Sequence, residues 1–145
     1  MRFVIQRVKS ASLSVDNTLI SKIDKGLLVF VGVCKDDEQK IVKKCAEKLA
    51  SLRVFEEDNK MNKNIMDKGY EILLVSNFTL CTKETSGARP DFGLAKDRFE
   101  ANHLYNCLAN ELTLFGVKVK LGKFGEDMQI NADLDGPVTI YKEIL

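Results

Sequence analysis

The sequence predicts an α+β fold in which two main helices pack on a mostly antiparallel sheet, within a single domain that spans residues 1–145. Two segments repeat their apolar residues at helical spacing, about eight others have the pattern of strands, and most neighbours are joined by short turns. A chain of 145 residues suits one domain and buries roughly 68–70% of its unfolded surface, which is enough for one core.

The first strands are predicted in the N-terminal part of the chain. Residues 2–8 are rich in β-branched and aromatic side chains, and residues 11–15 alternate apolar residues with serine, the period of a half-buried strand. Asp16-Asn17 indicates a turn, after which residues 19–23 return antiparallel. Residues 27–33 are nearly all apolar, as expected for a central strand that is covered on both faces.

A helix is predicted next from an apolar stripe at helical spacing, formed by Ile41, Val42, Cys45, Ala46 and Leu49. Asp36 is expected to be its N-cap, with Gln39 three residues further on in a capping-box-like relation. Residues 52–55 and 71–78 are predicted strands. A charged turn and then an irregular polar stretch, which extends to residue 69, separate them.

The second half of the chain contains a long loop and a second helix. Residues 81–95 show no period and contain glycine and proline, and long loops in compact domains are usually functional or mobile. The second helix is expected from about Asp97 to Phe115, with Gly116 as the residue that ends it. Three further strands complete the predicted fold, at residues 117–121, 128–133 and 138–144.

Composition excludes several classes of protein. The chain is 45% hydrophobic and 30% charged, with 22 Lys plus Arg against 21 Asp plus Glu. A formal net charge of +1 argues against a protein that binds polyanions over most of its surface. It is compatible with a local basic rim that holds RNA phosphates. No apolar run reaches the length of a membrane span, and the N-terminus leads directly into a strand pattern. We therefore expect a cytoplasmic protein that does not associate with membranes.

A conventional nucleophile and base are not apparent in the sequence. His103 is the only histidine, and its place beside the stripe of the second helix indicates an ordinary surface or semi-buried residue. The four cysteines form no CxxC pair and are expected to act mostly as small buried hydrophobes. We therefore expect neither a metal site nor a cofactor.

Two segments depart from the pattern of a plain scaffold. Ser76-Asn77-Phe78-Thr79-Leu80 follows an apolar run at a strand end, where free backbone N–H groups can stabilise an oxyanion, although a strand that simply leaves the core has the same pattern. Asp135-Gly136-Pro137-Val138-Thr139 lies between two predicted strands. It is either a plain turn or a pocket wall made of backbone, because glycine admits a ligand close to the main chain and an X-Pro bond can be cis.

With these motifs, the chain resembles the D-aminoacyl-tRNA deacylases of the bacterial and eukaryotic type over its whole length. Further matching segments are Ile5-Gln6-Arg7-Val8, Leu52-Arg53-Val54-Phe55-Glu56, Arg89-Pro90-Asp91-Phe92 and Gly122-Lys123-Phe124-Gly125. Two residues differ from the family's motifs. Asn77 stands in place of a glutamine, and Leu134 in place of an asparagine; both lie close to the expected pocket.

The resemblance implies a barrel-like sheet and an enzyme that hydrolyses the ester between tRNA and a D-amino acid or glycine, as proofreading in translation. It also implies a homodimer with active sites at the subunit interface. Gly136 and Pro137 of one subunit would enter the pocket of the other and reject L-aminoacyl-tRNA through a cis bond, and Arg7 would orient that segment.

The resemblance places catalysis at residues Ser76, Asn77, Phe78 and Thr79. Backbone N–H groups around Phe78 and Thr79 would hold the carbonyl oxygen, while the 2′-hydroxyl of the substrate helps to orient or activate water. In the alternative, Thr79 is itself a nucleophile, although no base for it is apparent.

The adenosine pocket is expected from Phe78, Ala101 and Met128, since a terminal base can stack on aromatic or apolar surface. Candidates for phosphate contacts are Lys83, Arg89, Lys96 and Arg98. Two other functions stay open. One is a non-catalytic nucleic-acid-binding protein, for which a basic tail is expected. The other is a relative of the archaeal threonyl-tRNA synthetase editing domain that acts on L-aminoacyl-tRNA, which the Gly-Pro motif disfavours.

Overall fold

The computed structural model describes residues 1–145 and contains eight strands and three α-helices. The strands are β1 (Arg2–Val15), β2 (Thr18–Ile23), β3 (Gly26–Gly32), β4 (Phe55–Glu57), β5 (Lys60–Lys63), β6 (Glu71–Ser76), β7 (Lys118–Leu121) and β8 (Gln129–Glu143). The helices are α1 (Val42–Ala50), α2 (Ile65–Lys68) and α3 (Arg98–Leu114), and 3₁₀ turns lie at Gln39–Ile41 and Phe78–Leu80.

Six strands form one strongly curved sheet in the order β2-β1-β3-β6-β7, with β8 also paired to β1. The first half of β1 pairs with β3 and its second half with β2, while β8 pairs along its length. β6 pairs in parallel with both β3 and β7, and the other four pairings are antiparallel. The sheet curves so strongly that β2 and β7, at opposite ends of this order, come into contact. Ser21 Oγ of β2 donates to Leu121 O of β7 at 2.5 Å. The predicted α+β class with a mostly antiparallel, barrel-like sheet is therefore confirmed.

Apolar clusters cover both faces of β3. Leu27, Val29 and Val31 lie in the larger cluster, which includes the buried faces of α1 and α3. Leu28 lies in a smaller cluster with inward-facing residues of β1, β2 and β6, in the interior of the curved sheet. This two-sided burial explains why nearly every residue of β3 is apolar.

The start of α1 differs from the prediction. The helix begins at Val42 after a 3₁₀ turn, and neither element has a side-chain cap, so the prediction that Asp36 is the N-cap is wrong. The neighbouring Asp37 is buried instead. Its carboxylate accepts from the Met1 amine at 2.6 Å and from the Cys34 N–H at 2.6 Å. Asp37 therefore anchors the start of the chain, whereas Asp36 is exposed.

Several predicted boundaries also differ. Residues 2–15 form one strand, and so do residues 129–143, because β1 and β8 pair with each other almost throughout. The strand predicted at residues 52–55 begins only at Phe55. The stretch predicted to be irregular contains most of β5 and the third helix, α2, whose first turn is closed by a capping box between Asn64 and Asp67. None of the helices combines the length and the apolar character that crossing a membrane requires.

Candidate active site

A short segment at the end of β6 forms a rigid turn, and residues 77–81 are called here the strand-end turn. The N–H of Asn77 donates to Val31 O at 2.8 Å, which continues the pairing with β3. The Asn77 side-chain Oδ1 then accepts from the Thr79 N–H at 3.2 Å and from Thr79 Oγ1 at 2.5 Å. The residue that departs from the family motif therefore holds both the backbone N–H and the hydroxyl of Thr79.

This arrangement changes which backbone donors an oxyanion can use. The Thr79 N–H, expected from the sequence to hold a carbonyl oxygen, is already engaged by Asn77. The Thr79 hydroxyl donates to an amide oxygen, which is not a base that can activate it as a nucleophile. The Phe78 N–H is the other donor that the resemblance implies, and any oxyanion role of these two donors would fall to it.

Gly32 at the end of β3 allows the strand-end turn to pack closely. A Cβ on Gly32 would lie 2.9 Å from the Leu80 Cβ and 3.1 Å from the Asn77 carbonyl oxygen. A side chain at this position would therefore push the turn away from the sheet. The close approach of β3 places the turn beside a cavity.

The cavity has a volume of about 520 Å³, and most of its lining residues are apolar. Ser76, Asn77 and Phe78 line it, together with Ala101 from α3 and Met128 just before β8. The structure thus brings together five residues that the sequence placed in the site, whereas Thr79 does not line this cavity. Phe78 is 61% exposed, so much of its side chain is available to a ligand.

The opposite wall comes from α3 and from the segment before β8. Tyr105 Oη donates to Leu74 O of β6 at 2.7 Å, which holds α3 over the sheet, and burial raises the pKa of this phenol above its ordinary value. Phe124, Gly125 and Glu126 also line the cavity. Gly125 belongs to a segment that matches the family, but nothing in the sequence marks it as a residue of the site.

Two cationic side chains contribute to the cavity. Arg98 lies across Gly125, where a Cβ would collide with its guanidinium, and the φ of +77° also favours glycine. Lys96 lines the cavity and pairs with Glu100 at 3.2 Å. The other two predicted phosphate contacts, Lys83 and Arg89, line a separate open groove of about 770 Å³.

The Gly-Pro segment, residues 135–138, bulges out of β8. Gln6 pairs with Thr139 and Val8 with Leu134, so these four residues lie opposite Arg7 alone. The Gly136–Pro137 bond is cis, as the resemblance implies.

Arg7 is buried and anchors this bulge. Its Nε donates to Asp135 O at 3.2 Å and lies 3.3 Å from the Asp135 carboxylate, and its Nη1 donates to Val54 O at 2.8 Å. Arg7, Gly136 and Pro137 do not line the cavity of their own chain. Within one chain, the cavity and the Gly-Pro segment, which are the two halves of the expected site, therefore do not meet.

The only histidine also lies outside the cavity. His103 is exposed on α3, and its Nε2 is 3.7 Å from Cys107 Sγ. The arrangement as a whole offers the Phe78 N–H, apolar surface and two cations at a strand end. Such a site could bind a ligand and polarise it without a nucleophilic side chain.

Comparison with known proteins shows the class and the family. The family model described as D-Tyr-tRNA(Tyr) deacylase matches residues 4–143. A D-aminoacyl-tRNA deacylase of Thermoanaerobacter sp. (strain X514) is 47% identical over 141 residues, which are 97% of this chain and 95% of the relative. One from Shewanella denitrificans is 44% identical over 142 residues, which are 97% of this chain and 98% of the relative.

Solved structures share the whole fold. One described as "c-Myc DNA Unwinding Element Binding Protein" has a TM-score of 0.93 and 41% identity, covering 100% of this chain and 99% of that one. One described as "Structural Analysis of a probable eukaryotic D-amino acid tRNA deacylase" has a TM-score of 0.87, with 99% and 98% covered; at 16% identity it supports the fold alone. The chain is an enzyme of the hydrolase class. It belongs to the D-Tyr-tRNA(Tyr) deacylase family, as the resemblance predicted.

Proposed function

We propose that this protein hydrolyses the ester bond of D-aminoacyl-tRNA and releases the free D-amino acid and tRNA. One observation carries the proposal. In a chain matched over nearly its whole length by deacylases, the end of β6 and the strand-end turn present Ser76, Asn77 and Phe78 to an open cavity of about 520 Å³. That volume lies within the range of about 300–1,000 Å³ that is usual for ligand pockets.

The terminal adenosine of tRNA fits the apolar part of this cavity. Its base would lie against Ala101 and Met128, with the exposed Phe78 ring beside it, since single-stranded bases bind by stacking on aromatic and apolar surface. Arg98 and Lys96 would contact the adjoining phosphate and position the strand without reading its sequence.

The chemistry is the attack of water on the ester carbonyl carbon. The oxygen of water bonds to that carbon, the bond to the ribose oxygen breaks, and the ribose oxygen receives a proton. The Phe78 N–H would donate to the carbonyl oxygen as it gains negative charge. The 2′-hydroxyl of the substrate would orient the water, so that Thr79, held by Asn77, remains a structural residue.

Chiral selection is proposed to need a second copy of the chain. β8 is paired on one edge only, and Leu134 and Tyr141 are exposed on it, so this long edge strand offers a surface for a homodimer. The Gly-Pro segment of one subunit would then complete the cavity of the other, while Arg7 holds it from behind.

In the proposed filter, the main-chain carbonyls of Gly136 and Pro137 accept from the α-amino group of the substrate. They leave no room for a side chain on the L side of the α-carbon. Gly136 suits this role because a Cβ would lie 2.9 Å from the Val138 N. Glycine on tRNA has no side chain to exclude and would be hydrolysed as well. The protein would thus act in translational proofreading, in the cytoplasm.

The test is deacylation of matched D-tyrosyl-, L-tyrosyl- and glycyl-tRNA by the purified protein. We expect the D and glycyl esters to be cleaved while the L ester stays nearly intact. Phe78→Ala should raise KM through the loss of stacking, on the order of tenfold. Phe99→Ala is the matched control, because Phe99 is 84% exposed and does not line the cavity.

Other outcomes favour other functions. Equal cleavage of the D and L esters would favour a relative of the L-specific editing domain. Binding of tRNA without any cleavage would favour a nucleic-acid-binding protein. That second candidate is favoured by one observation, the description of the 41% identical structure as a DNA-unwinding-element binding protein.

A further inference from the structure

Two thiols meet directly behind the strand-end turn. Cys81 closes the turn, with its N–H donating to Phe78 O at 2.9 Å. Cys34 lies just beyond β3, and its Sγ is 2.7 Å from the Cys81 Sγ. Both residues are free cysteines, and the hydrolysis proposed above uses neither of them.

The two thiols differ in access and in acidity. Cys34 is half-buried, and Cys81 is fully buried. The hydrogen bond from Cys81 lowers the pKa of the Cys34 thiol, helped by the Met1 ammonium and Arg2 and opposed by burial and Asp37. The same contact and burial raise the pKa of the Cys81 thiol. A half-buried thiol of lowered pKa therefore lies against a fully buried thiol of raised pKa, which is the arrangement of an attacking and a resolving cysteine.

The surroundings link this pair to the site. Arg2 donates to Leu80 O at 3.1 Å and to Thr82 O at 2.8 Å, the carbonyls on either side of Cys81. At Gly32, a Cβ would lie 3.0 Å from the Cys81 Sγ, so no free space separates the sulfur from β3. In such a densely packed region, movement of Cys81 moves the strand-end turn.

We propose that Cys34 and Cys81 form a reversible redox modification site, at which a hydroperoxide produces a disulfide that slows hydrolysis at the neighbouring cavity. Formation of the disulfide is independent of the proposed function, and only its effect on hydrolysis rests on that function.

The oxidation balances in two steps. The Cys34 thiolate attacks one oxygen of hydrogen peroxide, the O–O bond breaks, and hydroxide leaves, so that Cys34 becomes a sulfenic acid. The Cys81 sulfur then attacks the Cys34 sulfur, the S–O bond breaks, and the thiol proton leaves with the oxygen as water. In total, two thiols and one peroxide give one disulfide and two waters. A dithiol reductant reverses the reaction by thiol–disulfide exchange.

The expected effect on rate follows from the distance. A disulfide bond is about 2.05 Å long. The two sulfurs, now 2.7 Å apart, must therefore approach each other and pull on the residue that closes the turn. A displacement of about 1 Å near reacting groups can lower a rate by about 100-fold. We expect the oxidised protein to hydrolyse D-tyrosyl-tRNA at least about tenfold more slowly.

The first experiment detects the bond itself. The purified protein is treated with hydrogen peroxide, free thiols are blocked, and peptides are mapped by mass spectrometry. We expect a peptide that links Cys34 to Cys81, that has lost two hydrogens, and that disappears on reduction. Cys45, whose pKa is raised to about 11 mainly by burial, and the half-buried Cys107 are internal controls that should keep their thiols. Retention of both Cys34 and Cys81 as thiols while Cys107 is oxidised would overturn the proposal.

The second experiment measures the effect on hydrolysis. Oxidised wild type should be slowed and should recover with dithiothreitol, and Cys107→Ser should behave in the same way. Cys34→Ser and Cys34→Ala should have the rate of the reduced protein and be insensitive to peroxide. An unchanged rate in fully disulfide-linked protein would overturn the regulatory role. Inactivity of the reduced wild type would contradict the proposed function instead, and the peptide map would still decide on the disulfide.

Discussion

Arg7 provides the sharpest test of how the Gly-Pro segment is held. The buried guanidinium donates to two main-chain carbonyls, Val54 O and Asp135 O, and lies near the carboxylates of Glu56 and Asp135. Arg7→Met removes the charge and every donor but keeps an unbranched chain that fills similar space. The change therefore tests the hydrogen bonds more than the packing.

The magnitude follows from these contacts. A hydrogen bond to a charged group contributes about 1.5–3 kcal/mol, so the two carbonyl bonds together account for about 3–6 kcal/mol. The carboxylate partners are 57% and 39% exposed for Glu56 and Asp135, and such pairs contribute at most about 1 kcal/mol each. Because methionine removes the cost of burying a charge, part of the lost stability is recovered. We expect a loss of about 2–4 kcal/mol in the free energy of unfolding.

Two assays follow from this estimate. For a chain of this size, the loss should lower the melting temperature by roughly 6–15 °C, measured by circular dichroism. If Arg7 also orients the chiral filter, the ratio of kcat/KM for D-tyrosyl-tRNA to that for L-tyrosyl-tRNA should fall by at least about tenfold. Arg53→Met is the matched control, because Arg53 is exposed and should leave both quantities unchanged.

Two results would refute this reasoning. An unchanged melting temperature in Arg7→Met would show that the hydrogen bonds contribute little to stability. A destabilised variant with an unchanged ratio of D to L hydrolysis would show that Arg7 supports the fold but does not orient the filter.

Three further predictions concern other parts of the molecule. Thr79→Ala should keep most of its hydrolysis rate while tRNA ending in 2′-deoxyadenosine is cleaved poorly; a loss of several powers of ten in the variant would make Thr79 the nucleophile. Asp37→Asn breaks the buried pair with the Met1 ammonium and should lower the free energy of unfolding by about 3–5 kcal/mol in urea titrations. The exposed neighbour is the control, since Asp36→Asn should change the free energy of unfolding by no more than about 0.5 kcal/mol. Equal losses of stability in the two variants would contradict the pairing of Asp37 with Met1. Ala101→Leu should fill the cavity and raise the KM for D-tyrosyl-tRNA, and an unchanged KM would exclude the adenosine site proposed there.

Local pattern was sufficient to predict most elements. The apolar run of β3 and the apolar stripes of α1 and α3 indicate which faces are buried. Buried residues recur at a different period in a strand and in a helix, so the pattern also indicates the type of element. The same reasoning failed at Asp36 and at α2. Capping depends on where the chain enters the helix, and a helix of four residues has too few positions to show a period.

The family motifs alone mark Ser76, Phe78, Gly136 and Pro137 as functional candidates. They did not indicate that Asn77, the departure from the motif, occupies the Thr79 N–H. The partners in a hydrogen-bond network depend on geometry, and residue type alone does not report that geometry.

The sequence by itself therefore determined the class of fold, the family and the candidate segments for the site, because these follow from local periodicity and ordered motifs. Only the tertiary structure decided which distant groups meet. Arg7 meets Asp135 across 128 residues, Cys34 meets Cys81 across 47, and Met1 meets Asp37 across 36. Such pairs leave no periodic trace in the chain, because the curvature of the sheet and the packing of its loops bring them together.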